Sequence, residues 1–477
     1  MTKRPNVVVL MADDHGQWAS GCYGNRAVRT PSIDWLAAHG VRFANAFTPS
    51  PVCSPARMSF FTGRIPSQHG VHDWIYERDE AINATRWLDD EVMLGTLFQQ
   101  AGYATALVGK WHGGQSDQPQ PGFDYWFNYG RGWMQNHHEA HVYSENGQAV
   151  ARAGFKSQVV TDVALRWIAQ QRARTAEQPF FLFLGFNTTH NPWRDHPERL
   201  VAQYRRGTFD EVADGPVYPF GSLTGEATIE TRFNRREALA QYYAAVSEMD
   251  EQIGRVVDTL FAEGLLDDTL VVYSGDHGLC TGQHGIWGKG DATIPYNVLE
   301  ESVRIPLLFY QRGRLFGGQV RQEFVDHTDT FLTLLDAAGI APPEGRSFPG
   351  RSLWPTLTEG KVVPKRYAGV MGDDYQVFEY ASLRAVRDAR HKLVTFNMGA
   401  ETMDTPDWLL FDLVADPGET VNLYGQPGMQ AVAGRLQQVI EQWFAVYGAA
   451  GKDWQAALDG PAFNPWEAWR PPPDQRG

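Results

Sequence analysis

The chain of 477 residues has only three cysteines, Cys22, Cys53 and Cys280, and no long apolar run. So few thiols argue against a disulfide-stabilised scaffold, and we interpret Cys22 and Cys280 as buried thiols. The apolar run at residues 7–11 is too short for a signal peptide or a membrane span. As it stands, the sequence predicts a cytoplasmic protein without membrane association, and a trimmed leader would make it periplasmic or secreted.

Basic residues are also scarce, because 42 Lys and Arg stand against 56 Asp and Glu, for a net charge of -14. This balance argues against a nucleic-acid partner, which would need a surplus of cations. It does not exclude an anionic substrate, since a small anion needs only a local cluster of cations. The length predicts two domains. A cluster of Pro and Gly at 341–355 places the predicted boundary, giving a catalytic domain at 1–355 and a C-terminal subdomain at 356–477.

Apolar runs and helical patterns alternate over most of the chain, which predicts an α/β fold. Runs typical of buried strands lie at 7–11, 104–108, 180–186, 270–273 and 306–310. Helical patterns lie at 31–39, 91–101, 159–171 and 235–263. Further strand-like runs at 381–386, 392–396 and 408–413 precede a helical pattern at 429–447. They predict a small α+β subdomain with an antiparallel sheet, and the prolines at 471–473 predict an extended tail.

Chemically active side chains follow several of these strands. Asp13 and Asp14 follow the first run, and Asp276 and His277 follow the run at 270–273. Ligands of open α/β sheets bind at the carboxyl ends of the strands, and such oxygen and imidazole donors suit one divalent cation. Taken alone, each pair is more typical of a turn or a helix cap than of a metal site.

Cys53 opens the sequence Cys-Ser-Pro-Ala-Arg at 53–57, where Pro55 predicts the start of a helix. A helix N-terminus favours a bound anion. Lys110 and His112 follow the run at 104–108, and His190 follows the run at 180–186. Each would be an ordinary loop residue if it occurred without the others.

In combination these motifs resemble the type I sulfatases of the alkaline phosphatase superfamily, from the strand at Val7 to residues 410–413. The resemblance implies a large mixed, mostly parallel sheet flanked by helices, with the smaller C-terminal α+β domain. It implies that a maturation enzyme converts Cys53 to formylglycine. The metal positions matched are Asp13, Asp14, Cys53, Asp276 and His277, with Ca²⁺ as the expected ion and Mg²⁺ or Mn²⁺ as alternatives. The catalytic positions matched are Cys53, Arg57, Lys110, His112, His190 and Lys289.

The resemblance also implies a mechanism. The aldehyde hydrates, one hydroxyl attacks sulfur, and the second, with help from His112, expels sulfate. Arg57, Lys110 and Lys289 neutralise the sulfate oxygens, while His190 protonates the leaving oxygen. The expected partner is a small-molecule or oligosaccharide sulfate ester, on a sulfated carbohydrate or an aryl group.

Aromatic stretches at 71–76 and 123–133 suggest Trp74, Arg131 and Trp133 as pocket residues, although core packing explains such aromatics equally well. We interpret the histidines at 137, 138 and 141 as a surface loop, and His284 as a residue close to the metal ligands.

Two other functions are compatible with the sequence. A phosphonate monoester hydrolase or phosphodiesterase of the same superfamily would share the Cys53 motif and the Asp276-His277 pair. A non-catalytic protein that holds a sulfated glycan would keep Cys53 unmodified. The sequence leaves the oligomeric state open, a homo-oligomer included.

Overall fold

A computed structural model of the protein describes residues 4–130, 141–175, 177–212, 216–224, 234–364, 375–396, 408–449 and 452. Its strands are Asn6–Ala12 (β1), Val41–Phe47 (β2), Ala104–Gly109 (β3), Tyr125–Asn128 (β4), His141–Glu145 (β5), Gln148–Arg152 (β6), Phe180–Gly185 (β7), Ser222–Leu223 (β8), Thr269–Gly275 (β9), Cys280–Thr281 (β10), Trp287–Gly288 (β11), Thr293–Ile294 (β12), Leu307–Tyr310 (β13), Gln319–Asp326 (β14), Gln376–Tyr380 (β15), Leu383–Arg387 (β16), His391–Phe396 (β17) and Leu409–Asp412 (β18).

The helices of the described residues are Pro31–His39 (α1), Cys53–Thr62 (α2), Pro66–His69 (α3), Glu80–Ala84 (α4), Leu94–Gln100 (α5), Lys156–Arg174 (α6), Glu198–Tyr204 (α7), Arg235–Ala262 (α8), Glu300–Val303 (α9), His327–Ala338 (α10), Trp354–Glu359 (α11) and Gln430–Tyr447 (α12). The long helices predicted from hydrophobic periodicity are therefore confirmed.

The main sheet has ten strands in the order β14-β2-β13-β9-β1-β7-β3-β4-β5-β6. Its centre, β9-β1-β7-β3-β4, is parallel throughout. Strand β13 runs antiparallel to both of its neighbours, as do β5 and β6 at the other end. The predicted mixed α/β sheet is confirmed. Because β9, β1, β7 and β3 are parallel, their carboxyl ends lie at one edge.

Helices cover both faces of this sheet, because alternate side chains of each central strand point to opposite sides. Val7, Val9 and Met11 of β1 pack in a core with residues of α2, α5 and α10. Val8 and Leu10 pack in a second core with residues of α1, α6 and α8. The central strands are buried on both faces, which explains their continuous apolar runs.

A second sheet of four antiparallel strands follows, in the order β15-β16-β17-β18. One face packs against α12, and Phe378 on the other face packs against Phe47 and Phe324 of the main sheet. This confirms the predicted α+β character of the C-terminal part, whereas the division at residue 355 stays a prediction. The prolines at 471–473 lie outside the described residues. Within the described ranges, no helix is long and apolar enough to span a bilayer.

Candidate active site

Six of the predicted site residues follow the carboxyl ends of the central parallel strands. Asp13 and Asp14 follow β1, Asp276 and His277 follow β9, and Lys110 follows β3 directly. His190 lies five residues beyond the end of β7. All six side chains are at most 1% exposed. The topology thus brings together residues that are up to 264 positions apart in the sequence.

Cys53 is the first residue of α2, two positions earlier than the predicted helix start at Pro55. Its Sγ lies 3.2 Å from Nε2 of His277 and 3.4 Å from Oδ1 of Asp13. Two ammonium groups also approach it, Nζ of Lys289 at 3.2 Å and Nζ of Lys110 at 3.6 Å. The sulfur stands here for the oxygen atoms of the formylglycine that the resemblance implies.

Cations and carboxylates are paired around Cys53. Nζ of Lys110 lies 2.5 Å from Oδ2 of Asp13, and Nζ of Lys289 lies 2.9 Å from Oδ1 of Asp14. The guanidinium of Arg57 donates from Nε to Asp276 and from Nη1 to the carbonyl of Lys110, at 3.0 and 2.9 Å. A buried charge is tolerated only when it is paired in this way.

These pairs set the protonation of the carboxylates. Burial by itself raises the pKa of Asp13, but the charges of Lys110, His190 and Arg57 outweigh it and hold the pKa well below its ordinary value. The pKa of Asp14 is lowered in the same way, mainly by Lys289 against the effect of burial. Both carboxylates are therefore ionised at neutral pH.

The remaining groups respond mainly to burial. Desolvation lowers the pKa of His277, so that its imidazole is neutral and Nε2 can bind a metal. Burial raises the pKa of Asp276, against the opposing charges of His277 and Arg57. Burial also raises the pKa of Cys53 well above its ordinary value, although two lysines lie near it. An unmodified Cys53 is thus a neutral thiol and a poor nucleophile.

Four of the predicted metal ligands fit one cation. Ligand atoms of Asp13, Asp14, Cys53 and His277 all lie within 4.8 Å of one another, and all four residues are buried. Oδ2 of Asp14 is buried without a hydrogen-bond partner among the described residues. Asp276 lies outside this group of four, although its Oδ1 is 3.6 Å from Nε2 of His277. Anionic oxygens beside a neutral imidazole match the chemistry of a divalent cation.

His112 and His190 are each oriented by a backbone carbonyl group. Nε2 of His112 lies 3.1 Å from the carbonyl oxygen of Ile75, and its backbone has a positive φ of 64°. Burial, reinforced by Lys110, lowers the pKa of His112 well below its ordinary value. Nδ1 of His190 lies 2.9 Å from the carbonyl oxygen of Asn191, so that Nε2 faces Lys289 at 3.5 Å.

The other predicted residues are placed less centrally. Trp74 is half-buried, and its ring centroid lies 6.3 Å from that of His112. Arg131 and Trp133 lie outside the described residues, as do the histidines at 137 and 138. His141 hydrogen-bonds to the carbonyl oxygen of Tyr129. His284 forms an ion pair with Glu301 at 3.2 Å.

Sequence reasoning missed the buried carboxylate of Glu77. Its Oε1 accepts hydrogen bonds from Ser116 at 2.6 Å and from the amide of Gly114 at 3.2 Å. It therefore supports the loop that carries His112. Desolvation raises the pKa of Glu77 to about 7. A carboxylate next to Arg78 and Asp79 is typical of a solvated surface, so the sequence alone carries no signal of this role.

Comparison with known proteins identifies the family. The sequence matches the sulfatase family model over residues 5–340, more than half of the chain. The chain belongs to the sulfatase family. A second model, described as the C-terminal part of N-sulphoglucosamine sulphohydrolase, matches residues 282–445 of this sulfatase. The protein is accordingly a sulfuric ester hydrolase.

Among curated relatives, the sulfatase is 26% identical to the N-acetylglucosamine-6-O-sulfatase of Bacteroides thetaiotaomicron, covering 92% of this chain and 86% of the relative. It is 27% identical to human N-acetylgalactosamine-6-sulfatase, covering 92% of this chain and 85% of the human protein. The choline-sulfatase of Rhizobium meliloti is also 27% identical, with coverage of 89% and 83%.

Solved structures share the fold of this sulfatase. A protein in complex with its substrate D-glucosamine-2-N,6-O-disulfate matches with a TM-score of 0.76 at 23% identity, covering 93% of this chain and 98% of the other. The phosphonate monoester hydrolase of Agrobacterium radiobacter matches with a TM-score of 0.68 at 21% identity, with coverage of 93% and 96%. At these identities the likeness establishes the fold alone.

Proposed function

We propose that this sulfatase carries formylglycine at position 53 and hydrolyses the sulfate monoester of a carbohydrate. The proposal rests on the groups around Sγ of Cys53. Side-chain nitrogen or oxygen atoms of four residues lie within 3.6 Å of it, namely those of Lys110, Lys289, Asp13 and His277. A sulfate ester repels anionic nucleophiles, and its leaving alkoxide gathers charge. Cations around the reacting group reduce the repulsion of the nucleophile and neutralise the charge on the leaving oxygen.

One divalent cation would be held by Asp13, Asp14 and His277 together with the residue at position 53, and Asp276 would complete the set. Ca²⁺ is the proposed ion, because oxygen ligands dominate the site and the positions correspond to those of sulfatases. When bound, the metal would supply a positive charge that polarises a sulfate oxygen and favours an ionised hydroxyl at position 53.

Different residues of the chain would bind the sulfate, position the site and transfer protons. Lys110 and Lys289 would bind sulfate oxygens, while Arg57, held by Asp276 and the carbonyl of Lys110, fixes the end of α2. The hydrogen bond between Nδ1 of His190 and a backbone carbonyl orients the ring, and in the imidazolium form Nε2–H would deliver a proton to the leaving oxygen. The imidazole of His112 is neutral because of burial, as a proton acceptor must be.

The proposed substrate is a 6-O-sulfated hexosamine, alone or in an oligosaccharide. This part of the proposal rests on the names of two relatives, an N-acetylglucosamine-6-O-sulfatase and an N-acetylgalactosamine-6-sulfatase. Partly exposed aromatic side chains beside the site, Trp74 and Tyr76, offer faces on which a sugar ring can stack. The choline-sulfatase among the relatives makes a small cationic ester the natural comparison substrate.

The proposal is tested first at position 53. The protein is co-expressed with a formylglycine-generating maturation enzyme, and the peptide with Cys53 is examined by mass spectrometry. We expect an aldehyde in place of the thiol, and hydrolysis of N-acetylglucosamine 6-sulfate that depends on it. A thiol that persists despite the maturation enzyme would refute the formylglycine mechanism and favour a non-catalytic sulfate-binding protein. The Cys53→Ala variant is the matched control, because it cannot be converted.

A phosphonate monoester hydrolase is the second candidate. It is favoured by the Asp276-His277 pair and by the fold shared with the Agrobacterium radiobacter enzyme. The two activities are separated by the ratio of kcat/KM for a sulfate monoester and for a phosphonate monoester of the same phenol. We expect the sulfate ester to be preferred, and the opposite preference would reverse the assignment.

A further inference from the structure

Two acidic and three aromatic residues lie near one another beside the site, and none of them takes part in the cleavage of the ester described above. We call Asp73, Trp74, Asp291, Tyr296 and Tyr380 the rim. Trp74 precedes Ile75, whose amide donates to Oγ of Ser54 at 3.0 Å. The rings of Tyr296 and Tyr380 are in contact, with centroids 4.7 Å apart.

The rim is adjacent to the reacting group. Val52, the residue before Cys53, packs against Tyr380, Trp74 and Tyr296. The ring of Trp74 approaches that of His112, with centroids 6.3 Å apart. Asp291 follows Lys289 by two positions in the sequence. A carrier group attached to a sulfate above position 53 therefore passes close to the rim.

Asp73 uses only one of its two carboxylate oxygens in hydrogen bonds to described residues. Its Oδ1 accepts hydrogen bonds from the amide of Trp74, at 2.6 Å, and from the hydroxyl of Tyr380. Its Oδ2 has no hydrogen-bond partner within the described part of the chain, and the residue is partly exposed. Asp73 thus presents one oriented acceptor oxygen beside Trp74 and Tyr380.

Asp291, which is 9% exposed, is a second acidic residue near the phenols of the rim. Burial raises the pKa of Tyr380 well above its ordinary value, and Asp73, Tyr296 and Asp291 raise it further. The pKa of Tyr296 is raised by burial and by the same two carboxylates. Both acidic groups therefore lie near both phenols. The base of the site thus presents the ammonium groups of Lys110 and Lys289 to a sulfate, whereas the rim contains the carboxyl groups of Asp73 and Asp291.

We propose that Asp73 is a specificity-determining residue that accepts a hydrogen bond from an ammonium or hydroxyl group of the substrate's carrier, and that the rim selects against carriers with a second anion. This inference rests on the proposed function. The opposed charges orient the ester, because the sulfate is attracted to the lysines and repelled by the carboxylates. A carrier bearing a carboxylate or another sulfate places like charge against the rim.

The test is a series of three esters that share the 6-O-sulfate and differ in the substituent on the C2 nitrogen, which sets the charge there. Glucosamine 6-sulfate carries an ammonium, N-acetylglucosamine 6-sulfate a neutral amide, and glucosamine 2-N,6-O-disulfate an anion. Loss of the 6-O-sulfate is followed by chromatography at low ionic strength. For the matured wild type we expect kcat/KM to be about tenfold or more higher for the ammonium ester than for the disulfate, as for a charge-assisted hydrogen bond.

The variant Asp73→Asn removes the charge and retains the shape, and it should reduce this ratio several-fold. Asp258→Asn, an exposed carboxylate on α8, is the matched control and should leave the ratio unchanged. A wild-type rate independent of charge, or a preference for the disulfate, would overturn the inference even if the variant failed to fold. Absence of turnover of all three esters and of 4-nitrophenyl sulfate, despite formylglycine, would instead refute the proposed function.

Discussion

The substitution His190→Gln tests which residue protonates the leaving group. Nδ1 of His190 is fixed by the carbonyl oxygen of Asn191 at 2.9 Å, and Nε2 lies 3.5 Å from Nζ of Lys289. The ring is therefore oriented before substrate binds. Glutamine can retain a polar contact, but it cannot supply a proton.

The expected loss depends on the leaving group. General acid catalysis contributes about 10² to 10⁴-fold, which corresponds to about 3–5 kcal/mol of activation free energy. We expect kcat/KM for N-acetylglucosamine 6-sulfate to fall by this factor in His190→Gln, because a sugar alkoxide is a poor leaving group. For 4-nitrophenyl sulfate the loss should be below about tenfold, since the phenolate leaves without a proton.

The assay compares kcat/KM for both esters in the wild type and the variant after equal conversion of Cys53 has been verified by mass spectrometry. His39→Gln, on the surface of α1, controls for the loss of an imidazole elsewhere. An equal loss on both esters would show that His190 acts by binding sulfate or by ordering the site, and the assignment as general acid would be wrong.

Three further predictions concern stability. Burial raises the pKa of Glu248 to about 8, so the folded state retains a proton that the unfolded state has lost. The free energy of unfolding should then decrease as pH rises from about 4.5 to 8, by up to about 1.4 kcal/mol per pH unit. In calorimetry the melting temperature of Glu248→Gln should rise relative to that of the wild type between pH 5 and pH 9. A difference in melting temperature that stays constant with pH would contradict this. Gly63 and Gly264 have φ values of 68° and 64°, but a Cβ on Gly63 would lie 2.4 Å from Phe331, whereas Gly264 faces open space. In denaturant titrations Gly264→Ala should lower the free energy of unfolding by about 1–2 kcal/mol, and Gly63→Ala should lower it by about 1–3 kcal/mol more. Equal losses in the two variants would refute the role of the contact with Phe331. Ca²⁺ at about 100 times its dissociation constant should stabilise the wild type by about 2.7 kcal/mol. The thermal shift should largely vanish in Asp14→Asn, and a full shift there would exclude Asp14 as a ligand.

The central strands could be predicted because burial on both faces leaves uninterrupted apolar runs. Strands β2 and β14 were missed, since partly exposed residues such as Arg42 and Asn45 break the pattern. The helix predicted at 91–101 begins only at Leu94. Glu91 is an acidic residue of the kind that starts helices, but its buried carboxylate instead forms ion pairs with the partly exposed Arg64 and Arg346.

For the site, the positions after parallel strands were predictable because one sheet edge collects them. The pairing of cations with carboxylates could not be predicted, because the ion pairs of Lys110 with Asp13 and of Lys289 with Asp14 depend on loop conformations. The hydrogen bond that holds Asp73 was likewise not predictable, because the donor, Tyr380, lies 307 positions away.

All ten residues of α2, Cys53 included, are buried in the folded protein. A maturation enzyme that must reach the backbone around Cys53 can act only while the chain is still open. With conversion of Cys53 as proposed, folding and conversion would compete, and each molecule would retain the outcome for as long as it stays folded. The specific activity of a preparation would then record how fast the cell modified the chain. Adding more maturation enzyme to the purified protein would not raise it, whereas unfolding, conversion and refolding would.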